Sequence, residues 1–144
     1  MIWDSLVLHN HMSQIVSDQG LAQIGDGVVN LCYSLAKSVV LGHATGEKVQ
    51  DRILANAIRS TNFYSYISGR TDAGRAADAY EALIAYLWMK NKITIAFIVD
   101  SLVPHLPLTM DVSRKEERRI ASHAFTVFLE KVSTLFPKRL TEVQ

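Results

Sequence analysis

Residues 18–41 read Asp-Gln-Gly-Leu-Ala-Gln-Ile-Gly-Asp-Gly-Val-Val-Asn-Leu-Cys-Tyr-Ser-Leu-Ala-Lys-Ser-Val-Val-Leu, running from Asp18 to Leu41. Leu21, Ile24, Val28, Leu31, Leu35 and Val39 recur at helical spacing, and the segment is apolar enough for a helix buried on most sides. Gly42 supplies a stop at its C-terminal end. The middle of the segment is unusual, because Gly25-Asp26-Gly27 places an acid deep among apolar residues. Such an acid needs a cation, a hydrogen-bond partner or water. Each flanking glycine costs about 1 kcal/mol of helix stability relative to alanine. In return it lets another chain, a metal ion or a phosphate backbone approach closely.

Working outward, the rest of the chain also follows the helical period. The spacing predicts a helix over residues 3–16 and another over 47–63, with Thr45 as N-cap and Glu47 in the first turn. Gly69 and Gly74 bracket a turn, and helices are expected over about 75–89 and 92–103, the latter ended by Pro104 and Pro107. Ser113 followed by Glu116 forms a capping box that opens a last helix over about 113–135. No internal repeat and no period-2 strand is visible. The expected fold class is all-α.

With 144 residues the chain fits one domain, 1–144, and 49% hydrophobic residues against 20% charged exclude wholesale disorder. The most apolar stretch, 82–103, contains Lys90, Asn91, Lys92 and Asp100, so it reads as two core helices and no membrane span is expected. Asp4 and His9 interrupt the early apolar residues, so no secretory leader is expected. The single cysteine, Cys32, has no disulfide partner within the chain, which suits a reducing cytoplasm. A net charge of +1 gives no global case for nucleic acid. Charge is nevertheless concentrated locally. Residues 52–75 carry Arg52, Arg59, Arg70 and Arg75 against Asp72 alone, and 113–144 is also basic. On the last helix, Arg118 and Arg119 follow Glu116 and Glu117 in the manner of a solvated face.

Asp78 and Glu81 lie three residues apart, so both carboxylates project from one face of an otherwise apolar helix. Met by Asp26 from the earlier helix, they would form an oxygen-only set suited to Mg²⁺, which can activate water and neutralise a phosphodiester. The histidines lack metal-site spacing, and no nucleophile-elbow sequence is present.

The run Leu21-Ala22-Gln23-Ile24-Gly25-Asp26-Gly27-Val28-Val29-Asn30-Leu31 resembles the signature helix of ribonuclease III domains. The run Asp78-Ala79-Tyr80-Glu81-Ala82-Leu83-Ile84-Ala85-Tyr86-Leu87 is similar to that family's second acidic motif, Asp-x-x-Glu-Ala. The resemblance spans residues 21–88 and is nearest to the compact Mini-ribonuclease III class and short archaeal relatives without a double-stranded-RNA-binding domain. Full-length members carry a glutamate four residues before the signature Asp, where this chain has Ala22, as the compact class does. Asp78 instead matches the full-length members.

The resemblance implies a two-fold homodimer whose paired acidic sites lie along a cleft sized for an RNA duplex. It implies Mg²⁺-dependent hydrolysis, with Mn²⁺ as a substitute, leaving 5′-phosphate and 3′-hydroxyl ends. Asp26 and Glu81 would be the main metal ligands and Asp78 a further ligand or outer acceptor. Arg52, Arg59, Arg70 and Arg75 become candidates for phosphate contacts. The alternative implied by Ala22 is a dimer that binds RNA or ribosomes with little or no catalysis. A helical interaction protein with merely solvated acids is the remaining reading.

Overall fold

The computed structural model describes residues 1–137, and among them all regular structure is helical. The α-helices are α1 Met12–Val16, α2 Gln19–Leu41, α3 Asp51–Arg59, α4 Ala73–Met89, α5 Ile95–Leu102 and α6 Arg114–Lys131, linked by short 3₁₀ turns. The expected all-α class is what the chain adopts. Residues 138–144 of the expected single domain lie outside the described residues.

Helix α4 is the axis of the fold. Most of its residues are buried, from Ala76 through Leu87, and α2, α3 and α1 pack around it. Its many alanines let neighbouring helices approach closely, and α6, packed on α3, reaches α4 where the Tyr80 hydroxyl donates to the Phe125 carbonyl at 2.6 Å. The N-terminal segment is tied to the end of α4. Trp3 stacks on Trp88, and its indole N–H donates to the Met89 carbonyl at 2.9 Å.

Helix α2 begins where Asp18 accepts the Leu21 N–H at 3.0 Å and ends at Gly42, whose φ of 84° is the left-handed cap that glycine favours. By length and composition alone α2 could reach across a bilayer. In the folded chain it carries Asp26 and Lys37 and lies against α4 and α5. The 82–103 stretch is broken at Asn91, which has φ 61°.

Several expected boundaries move for identifiable reasons. The helix expected over 3–16 is a 3₁₀ turn, Asp4–Val7, followed by α1, because Gln14 Oε1 accepts the Asn10 and His11 backbone N–H groups at 2.9 and 3.2 Å and starts a new helix. Helix α3 starts at Asp51, not near Thr45. Residues 45–49 are held against α2, where Ser38 Oγ bonds both Thr45 backbone groups, Ser34 Oγ bonds both Glu47 backbone groups, and Asn30 Oδ1 accepts the Val49 N–H at 2.7 Å. Their backbone groups are thereby satisfied outside a helix. Helix α5 starts later than expected because Thr94 caps it. The Ser113 cap forms as expected, but the Glu116 carboxylate turns to Arg119, leaving the box half closed.

Candidate active site

The reason for Gly25 is its neighbour. A Cβ at this position would lie 1.9 Å from the Glu81 carbonyl oxygen and 2.4 Å from its carbon, so α2 and α4 meet backbone to backbone where Glu81 sits. The contact brings the two acidic motifs together. Asp26 from α2, and Asp78 and Glu81 from α4, line one open pocket of about 160 Å³. Gln19, Ala22, Gln23, Lys48 and Asp51 complete its wall. Gly27 has open space around it and plays no part in this approach.

Asp51 and Lys48 are the two functional candidates that sequence reasoning missed. Asp51 opens α3, where an acid is ordinarily accounted for by the helix dipole. Lys48 precedes α3 in the segment that α2 holds in place, and its Nζ reaches Asp26 Oδ1 at 3.2 Å. The same oxygen accepts from Asn30 Nδ2 at 3.1 Å, while Asn30 Oδ1 holds the Val49 N–H. Asn30 thus couples the carboxylate's orientation to the placement of Lys48.

Glu81 is only 5% exposed. Burial, followed by Asp26, Asp78 and Asp51, pushes its carboxyl up to about 9. Asp78 is also raised, first by burial and then by the charges of Asp51, Asp26 and Asp72. Asp26 is lowered, chiefly by the Glu81 carboxyl acting as proton donor, then by Lys48 and Asn30. The pocket therefore favours a protonated Glu81 beside a charged Asp26.

In metal-free protein Glu81 keeps its proton in the fold, whereas an unfolded glutamate loses it near pH 4.5. Stability therefore falls as pH rises through that window, up to the folded value of about 9. Glu81→Gln removes the penalty. In chelator it should raise unfolding stability by about 2 kcal/mol at pH 7, with a gain that grows between pH 5 and pH 8. Urea unfolding of both proteins at several pH values measures this, and a pH-independent difference would contradict the buried, protonated carboxyl.

Residues 19–138 match the sequence model of the Ribonuclease III family, which covers most of the chain. The chain belongs to the ribonuclease III family. No curated protein matches it. Membership places it among RNA-cleaving proteins, and the all-helical fold is consistent with that family.

Within this ribonuclease III domain, the three acids picked out from sequence share one pocket, whereas the four arginines do not line it. Arg52, Arg59, Arg70 and Arg75 are all exposed. Arg75 folds back to donate to the Arg70 carbonyl at 3.0 Å and lines a separate cavity with Tyr66 and Gln14. Ala22 also lines the acidic pocket.

The donors here are carboxylate and amide oxygens, the chemistry that suits a hard divalent cation, and the raised carboxyls mark a place where positive charge is needed. Among the described residues, no three His, Cys, Asp or Glu side chains are gathered into a finished cage. One Asp26 oxygen is instead taken by Lys48.

Proposed function

We propose that this ribonuclease III domain hydrolyses double-stranded or structured RNA with Mg²⁺, leaving 5′-phosphate and 3′-hydroxyl ends. The observation that carries the reading is the meeting of four carboxylates from three helices on one open pocket, with Glu81 buried among them. Asp26 and Glu81 would hold the cation, with Asp78 and Asp51 beside them. When bound, Mg²⁺ or its substitute Mn²⁺ supplies the positive charge that makes water nucleophilic and neutralises the phosphodiester.

The chain's own groups do the rest. Asn30 orients Asp26, and Glu81, raised by burial to about 9 in the metal-free chain, would hold the cation as a carboxylate. Lys48, exposed and on Asp26 Oδ1 at 3.2 Å, would supply a cation for a non-bridging phosphate oxygen. In the overall reaction water adds to phosphorus, the bond to the 3′ oxygen breaks, and a proton passes to that oxygen. Incubation of end-labelled RNA duplexes with and without Mg²⁺, followed by mapping of the product ends, tests this. Intact duplex in both Mg²⁺ and Mn²⁺ would favour a second reading, an RNA- or ribosome-binding module. Ala22 in place of an acid and Lys48 on Asp26 are the observations that support it.

The proposed enzyme is a homodimer, because cleaving both strands needs two acidic sites and each chain supplies one. Helix α2 provides a surface for pairing. Ile24, Leu31, Leu35 and Val39 lie on its outer face and are 40%, 49%, 42% and 62% exposed. An apolar stripe of this kind is unusual on a helix facing only water. Sedimentation should give twice 16.1 kDa for the native protein. Leu31→Glu combined with Leu35→Glu should return the monomer mass with helicity unchanged. A monomeric native protein would sink the dimer.

A further inference from the structure

On the other side of residues 47–51 lies a second pocket, of about 200 Å³, lined by Glu47, Gln50, Ile53, Arg114, Glu117 and Arg118. It shares a wall with the acidic pocket, since Lys48 and Asp51 face one cavity while Glu47 and Gln50 face the other. An extended stretch of this length covers less than about 18 Å, so one polyanion can reach both cavities.

The two acids of this second pocket are already committed. Glu117 accepts from Lys37 Nζ at 2.8 Å and from the Tyr33 hydroxyl at 2.6 Å, and its carboxyl is held below the usual range. Glu47 accepts from the same lysine at 2.8 Å. The two arginines are not so matched. Neither Arg114 nor Arg118 joins an ion pair among the described residues, and the Arg118 Nε is buried without an acceptor. Counting Lys37, Arg114 and Arg118 against Glu47 and Glu117 leaves this cluster at +1. Arg119, next along α6, differs in kind, because it is exposed and paired with Glu116.

We propose that Arg114, Arg118 and Gln50 form a phosphate subsite for the RNA whose scissile bond lies in the acidic pocket, so that the strand crosses the 47–51 ridge onto α6. The proposal rests on the reading of the acidic pocket as the place of cleavage. It supplies the RNA path that the four arginines of residues 52–75 do not provide beside the acids. It also separates Arg118 from Arg119, which look alike as a solvated pair in the sequence. A guanidinium with a buried, unpaired N–H beside an amide side chain suits a phosphate oxygen, and duplex RNA is held mostly through its phosphates and 2′-hydroxyls.

The test measures affinity for a short RNA duplex against salt concentration, with Ca²⁺ in place of Mg²⁺ so that the strand stays intact. Each lost phosphate contact should reduce the slope of log affinity against log salt by about one. Arg114→Ala and Arg118→Ala should each show that loss and weaken binding about fivefold at moderate salt. Arg118→Lys should restore most of the slope, and Arg119→Ala should leave it unchanged. Arg114 is exposed, so its variant carries the test even if Arg118→Ala unfolds. Equal losses for Arg119→Ala and the other two would mean diffuse charge and overturn the subsite, as would unchanged slopes in both pocket variants. Native protein that cleaves duplex RNA while both pocket variants bind normally would overturn the subsite alone. Native protein that neither binds nor cleaves RNA would overturn both readings.

Discussion

Asp26→Asn should reduce divalent-dependent RNA cleavage by about 10³-fold or more, with helicity and assembly unchanged. The Asp26 carboxyl is held down, so it carries full charge under the conditions in which a cation would bind. Asparagine retains the shape and the oxygen that accepts from Asn30 and Lys48, but it loses the charge and one acceptor. Glu81→Gln should be comparably severe, because Glu81 is the one buried acid of the four that line the pocket. Asp78→Asn should be milder. Asp78 is only partly buried, and Asp51 shares its side of the pocket. Single-turnover cleavage of a labelled duplex, with circular dichroism on each variant, provides the measurement. Native-like cleavage by Asp26→Asn would move the chemistry away from this pocket.

Gly25→Ala should be the most destabilising alanine substitution among the glycines, costing about 3 kcal/mol or more. The added carbon would fall on the Glu81 carbonyl group, which is backbone and cannot rotate aside. Relief requires α2 and α4 to separate, which would loosen the central packing of the fold and displace Glu81. Gly27→Ala, two residues on, supplies the contrast. Its Cβ would enter open space within the chain, so in the Leu31→Glu, Leu35→Glu monomer background the variant should gain about 0.5–1 kcal/mol from helix propensity. Urea midpoints for the two variants should therefore move in opposite directions. Similar shifts would mean that the close approach at Gly25 is not what the glycine serves.

Most elements could be read from local signals, because caps act on adjacent residues. Gly42 and Ser113 end or begin helices as their chemistry predicts. The start of α3 could not be read this way. Its upstream backbone is bonded by Ser34, Ser38 and Asn30, which lie far back in the chain on α2. Asp26, Asp78 and Glu81 stood out in the sequence because acids are expensive in apolar helices. Lys48 and Asp51 did not, because charged residues at an exposed helix start are ordinary.

The sequence by itself determined the helical class, the two acidic motifs and the family to which they belong. It did so through spacing and residue type, which are local properties of a chain. Tertiary structure decided that Gly25 and not Gly27 permits the central contact, that Lys48 caps Asp26, and that Arg118 and Arg119 part ways. Those outcomes depend on which backbone lies within a few ångströms of which side chain. Helical periodicity marks the faces of each helix, but it carries no record of the neighbour that each face will meet.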